Sequence, residues 1–93
     1  MSVENQLREL ERSFPDLRQK LDIHLVGLIG RLASRFTGDS EKDLALLRGS
    51  MELLFKPRDH DLLWKSVEDN REYALRVLEH VRLYRHQMKQ LFQ

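Results

Sequence analysis

The stretch LWKSVEDNREYALRVLEHVRLYRHQMKQL, residues 63–91, decides the fold of this 93-residue chain. One set of positions recurs alternately every four and three residues, and all of them are apolar except Asn70. The apolar ones are Leu63, Val67, Ala74, Val77, Val81, Tyr84, Met88 and Leu91. This spacing is typical of a helix that presents one narrow apolar seam to a partner helix over about four heptads. The sequence therefore predicts a helical protein whose last helix packs along most of its length.

Asn70 leaves two interpretations of this stretch open. A polar residue inside the seam can fix the register of a continuous helix, at some cost in stability. Alternatively, residues 68–71 form a local break and the last helix begins near Asn70. We favour a continuous helix over residues 58–93, which would be about 50 Å long at 1.5 Å per residue.

Two further breaks divide the rest of the chain. In residues 37–40 a glycine that can end a helix precedes Ser40, which is a candidate N-cap with Asp43 three residues later, as in a capping box. Pro57 disfavours helix at Lys56 and can open a new helix. These breaks predict one long, one short and one long helical segment.

The first two segments also carry apolar stripes at helical spacing. In the first, Pro15 either ends a short leading helix or bends a longer one, and we favour the break, with Ser13 capping the helix that follows. The middle segment, residues 41–54, places four residues on one stripe: Leu44, Leu47, Met51 and Leu54. Because this short helix covers less than half of the groove between two long ones, the remaining stripe predicts a second copy or another partner.

We therefore predict a single all-α domain over residues 1–93, a small antiparallel helical bundle with a short N-terminal leader, completed by homodimerisation. The best-buried positions are expected to be Leu21, Leu25, Leu28, Leu32, Leu47, Met51, Leu63, Val67, Val77 and Val81. Gly27, Gly30 and Ser34 form a strip of small residues on one helix face, which would let another helix approach closely.

Composition narrows the possible classes of protein. Sixteen basic and fifteen acidic residues give a net charge of +1, which is too balanced for the chain as a whole to capture nucleic acid or an anionic membrane. The chain has no cysteine, so disulfides, thiolate metal ligands and thiol nucleophiles are excluded. Its most apolar stretch, residues 23–33, is about half as long as a membrane span, and the N-terminus lacks the pattern of a secretory signal. We expect a cytoplasmic protein that binds no membrane.

No pattern of catalytic residues stands out in this sequence. None of the four histidines has another histidine or a carboxylate three or four positions away, where a helical metal site would need it. These histidines, expected to be solvated or interface residues, are His24, His60, His80 and His86. A Gly-x-Ser-x-Gly elbow, a phosphate loop and a dinucleotide fingerprint are all lacking. We therefore predict a protein that is not an enzyme and uses no cofactor, metal or small-molecule substrate.

The function that these patterns favour is a helical protein-interaction module, such as a small adaptor, chaperone or regulatory inhibitor. We expect a partner helix to bind the exposed end of the seam, because methionine and aromatic residues suit an adaptable surface. The predicted interface residues are Tyr84, Met88, Leu91 and Phe92.

The alternative function is a nucleic-acid-binding regulator that uses the basic residues of the last helix. These residues are Arg76, Arg82, Arg85 and Lys89. Cations near a helix C-terminus also oppose the macrodipole, and their stems cover apolar surface. These two effects explain much of the basic character without nucleic acid.

Overall fold

The computed structural model describes the backbone of residues 3–91 and the side chains of residues 7–91. Within these residues the chain is all-helical, with six α-helices, one short 3₁₀ helix and no strand. The elements are α1 (Val3–Ser13), α2 (Leu17–Lys20), α3 (Ile23–Arg31), the 3₁₀ helix (Ala33–Arg35), α4 (Ser40–Leu54), α5 (Pro57–Asp69) and α6 (Arg71–Leu91). The all-α fold class is confirmed. The division into a long, a short and a long helix is wrong, because the backbone breaks at additional places.

Pro15 ends α1, as predicted, since proline cannot continue a helix without losing a hydrogen bond and clashing with the preceding turn. The capping role predicted for Ser13 is wrong. Ser13 is the last residue of α1, and the next helix begins only at Leu17. Asp16 occupies the N-cap position of α2, but its carboxylate makes no capping bond and instead accepts a hydrogen bond from the Tyr73 hydroxyl (3.3 Å).

A second break, which the sequence analysis did not predict, separates α2 from α3. Leu21 has an extended backbone there (φ −128°, ψ 142°), although its side chain is buried in the core. Asp22 then caps α3 by accepting a hydrogen bond from the backbone N–H of His24 (2.8 Å). Because Leu21 keeps the spacing of the apolar stripe, the periodic pattern conceals the break. The signal that could have revealed it is the cap-forming Asp22.

The prediction of a continuous last helix is also wrong, because α5 and α6 are separate. Asn70 lies between them with non-helical backbone angles (φ −127°, ψ 40°). Its side-chain amide donates to the carbonyl oxygens of Ser66 (3.0 Å) and Lys20 (3.3 Å). Asparagine readily bonds nearby backbone groups in this way, which competes with a regular helix. Since α6 alone is about 30 Å long, the length mismatch that predicted a second copy disappears.

The core lies where α6 packs on the 3₁₀ helix, α1, α3 and α5, while α4 packs on α5. All the positions expected to be best buried are buried except Leu63, which is half-buried. The prediction that Leu54 belongs to the apolar stripe of α4 is wrong, since its side chain is 61% exposed. The reason is that α4 ends at Leu54 and the chain then turns into the extended Phe55.

The starts of α4 and α5 follow their sequence signals closely. Pro57 is the first residue of α5, as predicted. The predicted N-cap of α4 is wrong by one position, because the residue that precedes the helix is Asp39 and not Ser40. The Asp39 carboxylate accepts a hydrogen bond from the backbone N–H of Lys42 (3.2 Å). Asp43 therefore completes no capping box.

A buried carboxylate closes the loop between the 3₁₀ helix and α4. Asp43 is 5% exposed, and its Oδ1 accepts hydrogen bonds from the backbone N–H (2.8 Å) and the hydroxyl (3.1 Å) of Thr37. Its Oδ2 accepts from the backbone N–H of Gly38 (3.0 Å), where φ is 91° and glycine is favoured. The Asp43 side chain therefore holds the loop in the shape that starts α4.

Only part of the predicted strip of small residues borders other helices. Ser34 lies in the 3₁₀ helix, beyond the end of α3. Among the described residues, no atom lies within 4 Å of the position that a Cβ on Gly27 would take. Only Gly30 borders other helices, beside Leu10 of α1 and Val81 of α6.

Asp43→Asn should destabilise the fold, because an amide nitrogen cannot accept the hydrogen bonds of Thr37 or Gly38. We expect the free energy of unfolding to fall by about 1–3 kcal/mol, the penalty for leaving a buried donor unpaired. Urea denaturation followed by circular dichroism measures the change. Asp39→Asn is the matched control and should change stability little, since asparagine is as good a cap as aspartate. Equal stability of Asp43→Asn and the wild type would contradict this role.

Gly49→Ala should stabilise the protein, because Gly49 lies inside α4 and a Cβ there would meet no described atom within 4 Å. We expect a gain of about 0.5–1 kcal/mol in the free energy of unfolding from the lower backbone entropy of alanine. Gly38→Ala should do the opposite, since φ is positive there and the Arg82 guanidinium carbon lies 3.2 Å from the new methyl position. Thermal unfolding of both variants compares the two effects, and destabilisation by both would show that Gly49 has a packing role.

Candidate functional site

The apolar seam of α6 continues beyond the core. Its buried residues are Ala74, Val77, Leu78 and Val81. On the same side of the helix, Tyr84 and Met88 are half-buried and Leu91 is 73% exposed. We call these three residues the distal stripe. Three of the four predicted interface residues thus follow one another along one helix face, and Phe92 lies outside the described residues.

The four predicted basic residues of α6 do not form one surface. At 100° per residue, Arg82, Arg85 and Lys89 lie within about 60° of one another around the helix. Arg76 lies at least about 120° from each of them. The nucleic-acid surface predicted from the sequence is therefore divided between two sides of α6.

Two of these cations already interact within the chain. Arg82 donates to Glu79 through Nη2 (2.6 Å) and Nε (3.1 Å), and these hydrogen bonds hold the pKa of the Glu79 carboxyl below its usual value of 4.5. The Arg76 guanidinium lies 5.6 Å from the centroid of the Tyr73 ring, in a cation–π arrangement. Arg82 and Arg76 are therefore partly occupied in holding the fold.

Arg85 and Lys89 differ from these two, because both are exposed and neither makes an ion pair with a described residue. Around the helix axis Arg85 and Lys89 lie about 60° and 100° from Met88, but at least about 100° from Tyr84 and 120° from Leu91, so they flank the distal stripe at Met88. The distal stripe and this basic edge together form a surface that is apolar in the middle and positively charged on one side.

A polar cleft of about 760 Å³ lies where the Pro15 turn meets the α5–α6 break, and the sequence analysis did not predict it. Its charged lining residues are Asp16, Lys20, Glu68, Asp69, Arg71, Glu72 and Arg76. Three cations and four carboxylates nearly cancel, so the cleft does not select a strongly charged ligand. Burial, reinforced by the Asp16 carboxylate, raises the pKa of the Tyr73 hydroxyl above 10.0, so that hydroxyl remains a hydrogen-bond donor.

A serine, a histidine and a glutamate meet between α1 and α6, but not in the geometry of a catalytic triad. His80 Nε2 lies 3.4 Å from Ser13 Oγ and 3.8 Å from Glu9 Oε1. In a triad the carboxylate holds one ring nitrogen while the other takes the proton of the serine. Here both side chains lie at the same nitrogen, so Glu9 cannot orient the imidazole towards Ser13. The cluster joins α1 to α6, and the Phe14 ring packs edge-on against His80 at 5.5 Å.

Of the two expectations for the histidines, solvated or interface, His60 does not meet the first, since it is 8% exposed between α4 and α5. Its Nδ1 lies 3.2 Å from Asp61 Oδ1. Its buried Nε2 has no hydrogen-bond partner and lies 3.9 Å from Glu52 Oε1. Within the described part of the chain, no three histidine, aspartate or glutamate side chains are grouped so that they could hold a metal ion. His60 is therefore part of the packing between α4 and α5.

None of the helices described is both long enough and apolar enough to cross a membrane. The chain matches no protein-family model, no curated protein and no solved structure.

The Glu79–Arg82 pair should make stability depend on pH in the acid range. Because the pKa of Glu79 is lower in the folded chain than its ordinary 4.5, the unfolded chain binds this proton more tightly. The contribution of the pair is complete above that ordinary value and is lost as the pH falls through the folded-state pKa. We expect Glu79→Gln to lower the melting temperature more at about pH 7 than at about pH 3.

Differential scanning calorimetry of the wild type and Glu79→Gln measures this difference. Glu68→Gln is the matched control, since Glu68 is exposed and forms no ion pair with a described residue. A Glu79→Gln effect that is the same at both pH values would show that the pair does not act through the carboxylate charge.

Proposed function

We propose that this chain is a helical protein-interaction module without enzymatic activity, and that the distal stripe of α6 is its docking surface. The observation that carries this proposal is the continuation of the apolar seam for nearly three turns beyond Val81, the last buried residue in the described part of α6. Apolar surface that runs on from a core in this way is typical of a site where another chain binds.

The spacing of the distal stripe supports a helix as the ligand. Tyr84, Met88 and Leu91 are four and three positions apart, which is the spacing of residues that interlock with a second helix. Met88 is unbranched and polarizable, so it can adapt to the side chains of the partner. Tyr84 lies beside Leu10 of α1, so the docking surface begins at the edge of the core.

The polar features of the molecule support a binding role over a catalytic one. The Ser13–Glu9–His80 cluster lacks the arrangement that a triad needs, because both partners approach one ring nitrogen. The charges around the cleft nearly cancel. Nucleic-acid binding draws less support, since Arg76 and Arg82 interact with Tyr73 and Glu79 on different sides of α6.

A different protein is favoured as the partner over a second copy of this chain. The argument for a homodimer depended on a last helix of about 50 Å, and the break at Asn70 removes that helix. We also propose that the helices pack as an antiparallel bundle and that the chain is a monomer. Light scattering over a concentration series measures the mass directly, and we expect a monomer.

Met88→Asp together with Leu91→Asp should weaken partner binding by about 100-fold, because two carboxylates would have to be buried against apolar side chains. The matched control is Leu83→Asp together with His86→Asp, which introduces two aspartates at exposed positions about 140–160° from Met88 around the helix axis. Circular dichroism should show the same helix content in both double variants.

The partner can be identified by photo-cross-linking in cells from a benzoylphenylalanine at position 88, with the exposed position 86 as the control site. Isothermal titration of the purified partner then measures its affinity for each variant. Equal affinity for the wild type and the Met88→Asp, Leu91→Asp variant would refute the docking surface. A wild-type dimer that becomes a monomer in this variant would instead assign the distal stripe to self-association.

A further inference from the structure

We infer that the segment that docks on the distal stripe is an amphipathic helix with acidic residues along the edge that faces Arg85 and Lys89. This inference rests on the proposed docking function and adds the chemistry of the partner. Three observations carry it: the position of the two cations beside Met88, their lack of ion-pair partners among the described residues, and the absence of aspartate and glutamate from residues 80–91.

The two edges of the distal stripe differ in charge. Arg85 and Lys89 lie on one side of Met88, while Gln87 and Gln90 lie on the other side of the stripe. A helix that packs along Met88 would thus have a basic row beside one of its flanks and neutral amides beside the other. Only acidic residues on the first flank complement this arrangement.

The basic row is uncompensated within the described chain. Residues 80–91 contain three arginine and lysine residues and no aspartate or glutamate, in a chain whose net charge is only +1. Arg82 is paired with Glu79, whereas Arg85 and Lys89 form no ion pair with a described residue. Arg85 and Lys89 are four positions apart, and like charges at this spacing destabilise a helix by a few tenths of a kcal/mol. The helix dipole offsets this for Lys89 in the last turn, but less for Arg85, which lies more than a turn from the end.

A second copy that pairs through its own α6 does not supply the missing carboxylates. In an antiparallel symmetric pair, the basic edge of one α6 would face the same edge of the other. In a parallel pair it would face the neutral edge that carries Gln87 and Gln90. Neither arrangement brings an acidic residue to Arg85 or Lys89.

A nucleic acid would supply negative charge but no apolar surface. Met88 and Leu91 would then lie against phosphates and sugars, and their apolar area would not be buried in a dry contact. An acidic amphipathic helix satisfies both requirements, because its leucines cover the stripe and its carboxylates pair with the basic row.

The inference can be tested with two synthetic helical peptides of about 18 residues that share the same leucine positions and differ only in their flanking residues, glutamate or lysine. Fluorescence anisotropy measures binding of each labelled peptide, and of a labelled DNA duplex, at about 50 and about 300 mM salt. We expect the glutamate peptide to bind the wild-type chain at least about tenfold more tightly than the lysine peptide, with a smaller difference at the higher salt concentration.

Arg85→Glu together with Lys89→Glu should invert this preference, so that the lysine peptide binds more tightly. The matched control is Arg58→Glu together with Lys65→Glu, which alters the net charge equally on the exposed side of α5 and should keep the preference for the glutamate peptide. Arg85→Gln with Lys89→Gln should abolish the preference in either direction, and circular dichroism verifies that each variant is folded.

Equal binding of both peptides, no binding of either, or tighter binding of the duplex than of the glutamate peptide would each overturn the inference. A failure of this inference can be distinguished from a failure of the proposed function. If Met88→Asp with Leu91→Asp weakens binding of the partner identified by cross-linking but Arg85→Glu with Lys89→Glu leaves the affinity unchanged, the docking surface is supported and the acidic flank of the partner is wrong.

Discussion

The rest of the structure depends on the break that Asn70 makes between α5 and α6. Its side-chain amide bonds the end of α5 through Ser66 and reaches the backbone of α2 at Lys20. After the break, Val77, Leu78 and Val81 of α6 lie in the core, where burial contributes about 1.5–3 kcal/mol for each side chain. The hydrogen bonds of Asn70 contribute less, about 1 kcal/mol each, and they fix where the turn occurs.

A second constraint sets where the core ends along α6. The helix packs against the 3₁₀ helix, and the loop that follows is held by the buried Asp43 carboxylate. The Arg82 guanidinium rests against Gly38 in that loop, directly after the buried Val81. Beyond this point the described chain offers no further element to cover α6 completely. The distal stripe is thus the part of the seam that extends past the available core.

Periodicity predicted which residues are buried much better than it predicted where helices end. Leu21 lies in an extended segment and Asn70 between two helices, yet the apolar residues around both keep helical spacing. An apolar stripe can therefore continue through a break in the helix. The two breaks are indicated only by Asp22 and Asn70, whose side chains form hydrogen bonds with the backbone there. The alignment of Tyr84, Met88 and Leu91 on one face of α6 depends only on their spacing within a single helix, so it could be predicted from the sequence. The meeting of Ser13 with His80, which are 67 residues apart, depends on the packing of α1 on α6 and left no local signal.

In the proposed complex, the surface of α6 would make two kinds of contact with the partner. Contact with Met88 and Leu91 would supply affinity in proportion to the apolar area removed from water, and it would be nearly independent of direction. Contact with Arg85 and Lys89 would distinguish one flank of the partner from the other and would raise the rate of encounter. In the proposed complex the partner would also extend the core beyond Val81, since the distal stripe continues the buried face of α6. A ligand that binds only the folded state stabilises it by mass action, so docking on this stripe would stabilise the helix that forms it.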